Sequence, residues 1–152
     1  YDIVFGDCSS DVCSSDLGED GAHARNSLAR VLDLGVDGLK LHPLHVVKGT
    51  RLANDWRRGG YQPWSLARYT QTAADLVEQT PADVVYHRLT GTASPQILLA
   101  PDWCRFKWRV IDGIAAELVQ RNTHQGSALA APLQIQEKQA WNWSARLATS
   151  RH

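Results

Sequence analysis

The sequence predicts an α/β protein, built as the closing part of a larger α/β barrel. Three observations carry that expectation. Helical and extended patterns alternate in the order helix, strand, helices, strand, helix, as βαβ units around a parallel sheet require. Two apolar strands, 37–42 and 83–89, run straight into turns rich in polar groups, which is how such sheets present chemistry at their carboxyl ends. Two parallel strands also make no stable sheet alone, because they need cover on both faces and neighbours at both edges.

Residues 19–34 carry Leu28, Val31, Leu32 and Gly35 at helical spacing. Glu19 and Asp20 suit the positive end of that helix, and Gly35 is its stop. In the strand 37–42, Leu39 and Leu41 take one face and Lys40 and His42 the other. Pro43 cannot donate to a ladder and should end it. In a barrel the leucines would pack against the outer helices while Lys40 and His42 face the lumen. Thr50 is placed to cap a helix over 51–58, closed by Gly59 and Gly60. Ser65 is placed to cap a second over 66–79, striped by Leu66, Tyr69, Ala73, Leu76 and Val77. The strand 83–89 is rich in β-branched and aromatic residues, and Thr90-Gly91-Thr92 is its turn. Residues 95–101 read as one irregular turn. Asp102 is placed to cap a long helix over 103–121, with Trp103, Phe106, Val110, Ile114 and Leu118 on one face. Beyond Thr123 the pattern dissolves. Residues 134–143 have a weak helical pattern, and 127–152 read as a poorly ordered tail.

At 152 residues the chain has the size of one ordinary domain. Its 16 basic and 16 acidic residues balance, so charge implies no polyelectrolyte partner, and a nucleic-acid binder normally shows a basic surplus. No apolar run approaches the roughly 18 residues of a membrane span, and the start lacks the basic and apolar regions of a secretory signal. The cytoplasm is the expected compartment. Three cysteines argue against a disulfide framework. The absence of any methionine suggests that the true amino terminus lies elsewhere.

Residues 7–17 read DCSSDVCSSDL, with CSSD twice. As chemistry, Cys8 and Cys13 would form a Cys-x4-Cys pair, which matches none of the common zinc or redox spacings. As plain structure they would sit in a Ser/Asp linker. A third reading is stronger. The codons GAC GTG TGC TCT TCC GAT CT spell Asp-Val-Cys-Ser-Ser-Asp-Leu, the in-frame translation of a sequencing-library adaptor. On that reading residues 1–17 are a non-native segment, with residues 1–6 from an unrelated piece, and native information begins near Gly18.

The chemistry-bearing residues cluster at strand ends. His42 and His45 stand three apart across a proline. They read either as a metal or acid–base pair or as hydrogen-bonded structural histidines, and His-x2-His alone fixes no third ligand. Lys48-Gly49-Thr50 resembles the end of a phosphate loop, but the Gly-x4-Gly-Lys-Thr pattern is absent. A helix start at Thr50 could still take an anion. His87 and Arg88 share the end of the second strand, and only one of two adjacent residues can line a lumen. Trp103 and Trp108 could stack a base, although aromatics at helical spacing are more often core. Lys107 reads as a snorkelling surface residue, and isolated Cys104 as a small half-buried residue rather than a nucleophile.

These residues carry a resemblance. The stretches LGEDGAHARNSLARVLDLGVDGLKLHPLHVVKGTRLA, DVVYHRLTGTA, LLAPDW and KWRVIDGIAAEL, with the closing RNTHQG, resemble the carboxyl half of a bacterial radical S-adenosylmethionine (SAM) family. That family is similar to the radical half of the elongator acetyltransferase subunit and shares the extension called the radical SAM C-terminal domain. Over residues 18–126 the resemblance implies part of a partial (β/α)6 TIM-type barrel with a helical carboxyl-terminal extension. It also implies a 4Fe–4S cluster that cleaves S-adenosylmethionine to a 5′-deoxyadenosyl radical. Gly18-Glu19 matches the end of the family's Gly-Leu-Pro-Gly-Glu turn. The three cluster cysteines expected near the barrel's start are absent here. Cys8 and Cys13 do not match them in spacing or context, and Cys104 lies in the wrong part of the chain. Cluster ligation needs thiolates, so this chain is expected to bind neither cluster nor cofactor and to be inactive alone. Lys40, His42, His45 and His87 are the residues expected to line the cavity, holding the cofactor's carboxylate or ribose and orienting an unidentified substrate.

Two other readings compete. A non-catalytic nucleic-acid or protein-binding module would need a contiguous basic face, for which Arg57, Arg58, Arg105, Lys107, Arg109 and Arg121 are the candidates. A metal-dependent hydrolase would use His42, His45 and His87.

Overall fold

The computed structural model describes residues 2–5 and 21–129. The expected adaptor segment, apart from residues 2–5, and the tail beyond residue 129 lie outside the described residues. So does the weak helical pattern at 134–143.

The chain is α/β, with a three-stranded parallel sheet at its centre. The strands are β1 (Asp2–Phe5), β2 (Gly38–Pro43) and β4 (Val85–Arg88), in the order β1-β2-β4. Asp2 lies beside Lys40 and Phe5 beside Pro43, and Gly38 lies beside Val85 on the other edge of β2. The sequence reading placed residues 2–5 ahead of the native information. In the structure they form an edge strand on β2. The strand β2 runs one residue further than expected and includes Pro43. The strand β4 is shorter than expected, covering four residues.

Helices α1 (Gly21–Asp33), α3 (Leu66–Glu78) and α4 (Lys107–Arg121) form the helical layer. Their apolar faces meet the sheet in one core of Leu28, Leu39, Leu41, Tyr69, Leu76, Val110 and Ile114, with other small side chains between. Gly35 ends α1 at φ 70°, the left-handed backbone that only glycine adopts without strain. Ser65 caps α3 by accepting a bond from the Arg68 N–H at 3.2 Å. The helices α3 and α4 approach closely at Gly113, where a Cβ would come within 2.8 Å of the Thr70 methyl.

Two expectations fail beyond the central sheet. Residues 95–101 are not merely a turn. Strand β5 (Leu98–Ala100) pairs antiparallel with β3 (Val46–Val47). That pair packs on α2 (Arg51–Arg57) in a second small core of Val46, Ala53 and Ala100. The long helix over 103–121 is also broken. A 3-10 turn at Asp102–Arg105 precedes α4, and Phe106 leaves helical geometry between them. Trp103 turns inward, donating from its indole N–H to the Trp64 carbonyl at 2.9 Å, and Phe106 is left 55% exposed. Asp102 makes no cap. It pairs with Arg105 at 3.6 Å.

The end of α4 is tied back to α3. Asn122 takes the left-handed conformation at φ 52°, a common way to end a helix. Arg121 then reaches Asp75 at 2.7 Å and Glu78 at 3.3 Å. The chain remains hydrogen-bonded to α3 as far as Ala128, whose N–H donates to the Glu78 carbonyl.

Candidate functional site

The strand β2 has two unlike faces. Leu39 and Leu41 are fully buried against the helices, while Lys40 is exposed and His42 half-buried. Side chains alternate across a strand, so Lys40 and His42 occupy the face turned away from the helical layer. Alternation does not decide between His87 and Arg88, because the register of β4 on β2 shifts there and Lys40 lies beside Arg88. Tyr86 packs towards the core, where its hydroxyl meets Thr80 at 2.6 Å, whereas His87 is exposed. Its ring lies over Gly38, where a Cβ would come within 2.5 Å of His87 Nε2. Lys40, His42 and His87 therefore share one open face.

The His42 imidazole is held from three directions at the carboxyl end of β2. Its Nδ1 lies 3.3 Å from the Pro43 carbonyl, and donation there leaves Nε2 as the acceptor. The His45 ring meets it edge-on, with centroids 5.1 Å apart and planes at 68°. Gly91, just beyond β4, backs it so closely that a Cβ would sit 2.1 Å from Nε2 and 2.5 Å from Cδ2.

Burial, and after it the neighbouring His42, holds the His45 imidazole below the ordinary histidine range, while the Gly91 backbone acts in the opposite direction. His45 is thus a neutral ring near neutral pH. Its Nε2 is buried without a hydrogen-bond partner, at a cost of about 1–3 kcal/mol.

Gly91 is the site residue that sequence reasoning missed. It reads as a turn glycine, yet the glycines with positive φ among the described residues are Gly35, Gly49, Gly59 and Gly126. What demands glycine at 91 is the imidazole beside it. A glycine after a strand is too common for sequence alone to reveal that.

Other candidates are used internally. The Thr50 hydroxyl donates to the Val47 carbonyl at 2.7 Å and accepts from the Ala53 N–H at 3.1 Å, so it caps α2 itself. Among the described residues no three His, Cys, Asp or Glu side chains group closely enough to hold a metal ion. His42, His45 and His87 therefore do not form the three-ligand set that the hydrolase reading needs. Burial pushes the Cys104 thiol up to about 12, away from the thiolate that attacks carbon or binds iron. The described residues do not fit a 4Fe–4S cluster. Of the basic candidates, Arg58 pairs with Asp55, Arg105 with Asp102, and Arg121 with Asp75 and Glu78. Trp103 packs on Tyr69 with ring centroids 5.0 Å apart, whereas Trp108 is 70% exposed under Lys107. No helix among the described residues is long and apolar enough to cross a membrane.

The model of the radical SAM C-terminal domain matches residues 36–120. That span contains β2, β4, the three histidines His42, His45 and His87, and Gly91. Protein YhcC of Escherichia coli is 42% identical over 115 residues, which are 76% of this chain and 37% of that protein. The uncharacterized protein YtqA of Bacillus subtilis is 35% identical over 96 residues, 63% of this chain and 30% of that protein. An uncharacterized protein of Methanocaldococcus jannaschii is 29% identical over 101 residues. The chain spans about a third of the length of these curated relatives.

Proposed function

The chain belongs to the radical SAM C-terminal domain family, and on that premise we propose that it forms the closing wall of a radical S-adenosylmethionine enzyme. In this reading β2 and β4 are staves of a partial (β/α)6 barrel, and the rest of the relatives' length supplies the missing staves and the cluster cysteines. The intact enzyme would use a 4Fe–4S cluster to generate a 5′-deoxyadenosyl radical from S-adenosylmethionine, acting on a substrate still to be identified.

One observation carries the reading. Lys40, His42 and His87 share a sheet face that the helices leave uncovered, while the leucines between them are fully buried on the other side. A parallel sheet is ordinarily covered on both faces. Polar side chains on the inner face of a partial barrel line a hollow, where they can fix a cofactor and order a substrate. These residues would bind and orient through hydrogen bonds, and the wall behind them would exclude water. The chain alone would be inactive, because its described residues cannot ligate the cluster.

The test joins this chain to the amino-terminal part of its Escherichia coli relative. The joined protein is reconstituted anaerobically with iron and sulfide, then supplied with S-adenosylmethionine and a reductant. Iron–sulfur absorbance and release of 5′-deoxyadenosine are expected, with neither from the chain alone. A joined protein that folds yet shows no cluster absorbance and releases no 5′-deoxyadenosine overturns the reading.

A further inference from the structure

We propose that Gly91 is a positioning residue for the His42 imidazole, holding that ring at the carboxyl end of β2 to meet a ligand in the hollow. The ligand role rests on the reading above, while the seating of the ring does not.

Three observations converge on the seat. Gly91 is buried, and its backbone lies outside the left-handed region that would itself call for glycine. Three atoms of the His42 ring lie 2.1–2.5 Å from where its Cβ would be, closer than any side chain allows, so the ring and a Cβ exclude each other. Pro43 and His45 contact the ring on other sides, so a Cβ at 91 would displace it from both.

Folding alone does not account for this arrangement. Fixing an imidazole costs side-chain entropy, and the buried Nε2 of His45 beside it has no partner. Apolar residues at both positions would avoid both costs. Binding sites, by contrast, need side chains whose rotamers are fixed by their surroundings before the ligand arrives. His42 is half-buried, so the residue is not sealed off from the face it shares with Lys40 and His87.

The seat is tested on the full chain by NMR and thermal melting. Contacts from the His42 ring to the Gly91 α protons and to His45 are expected in the wild type. Gly91→Ala should keep a dispersed spectrum, lose the His42–His45 contact and lower the melting temperature. In a His42→Ala background the same Gly91→Ala change should cost nothing, because the space is already vacated. A Gly91→Ala chain that folds only when His42 is also alanine is the strongest form of this result. Equal loss in both backgrounds, unchanged His42 contacts, or failure of both variants to fold would overturn the seat, since each means that Gly91 serves the backbone.

The ligand role is tested on the joined protein with S-adenosylmethionine as the probe. Gly91→Ala and His42→Ala should each weaken binding on the order of tenfold, and the double variant no further than either alone. Additive losses overturn the positioning role. A wild-type joined protein that binds no S-adenosylmethionine overturns the radical reading instead, and leaves the NMR result to decide the seat.

Discussion

His42 and His45 meet edge-on, with ring centroids 5.1 Å apart, where β2 leaves the sheet. Burial, and after it the neighbouring His42, keeps His45 below its ordinary 6.5. The unfolded chain therefore binds a proton at His45 at a higher pH than the folded chain does. Unfolding then takes up protons, and stability rises with pH across that interval. The contribution is fully present above 6.5 and is lost as pH falls towards the lower folded value. Melting temperatures measured from about pH 8 to about pH 5 should fall less steeply in His45→Leu than in the wild type. Parallel slopes would show that His45 titrates normally in the fold.

The two faces of β2 should respond very differently to truncation. Leu41 is fully buried in the main core, so Leu41→Ala should cost about 2–5 kcal/mol, the transfer of the side chain plus the cavity it leaves. Lys40 is exposed on the other face, and Lys40→Ala should cost about 0.5 kcal/mol or less. Urea unfolding of both variants checks this. Comparable losses would mean that the lysine face is packed rather than open.

Much of this was readable from GLKLHP, because a strand with one covered face writes a period of two into its residues. Thr50 and Ser65 were equally legible, since a capping hydroxyl acts within three residues of itself. The misses have a common cause in distance along the chain. A two-residue strand such as β3 shows no period, and its partner β5 is set by a contact across half the domain. The helical stripe runs through Phe106 without interruption, whereas Phe106 leaves helical geometry and Trp103 donates to the distant Trp64 carbonyl. Gly91 looked like a turn because the ring that requires glycine belongs to another strand. The site followed the same division. The strand rule put Lys40 and His42 on a common face from sequence, but His87 joins them through its place over Gly38, at a register shift that sequence does not show.

Arg121 should prove to be the clasp between α4 and α3. Its guanidinium reaches Asp75 at 2.7 Å, Glu78 at 3.3 Å and Glu117 at 3.4 Å. Burial alone would lower its pKa, but the bonds to Asp75 and Glu78 outweigh that and raise it. Arg121→Ala should cost about 1–3 kcal/mol. Arg121→Lys should recover little of it, because one ammonium cannot reproduce the planar fork that serves several oxygens. Full recovery by lysine in denaturant unfolding would reduce the clasp to simple charge.

Gln125 holds the entry to β4 from outside the sheet. Its side-chain amide donates to the Pro81 carbonyl at 2.6 Å and the Val84 carbonyl at 2.7 Å. Gln125→Ala removes that donor and should cost about 1–3 kcal/mol. Gln125→Glu should be no better than alanine, since a carboxylate is nearly the same shape but faces two carbonyls with nothing to donate. The effect should also be local. Val85 N–H donates to the Asp37 carbonyl at the first rung between β4 and β2, so its hydrogen exchange should quicken in both variants before the rest of the sheet responds. If glutamate preserves wild-type stability and Val85 protection, the side chain acts by filling space, and β4 is positioned by its core contacts instead.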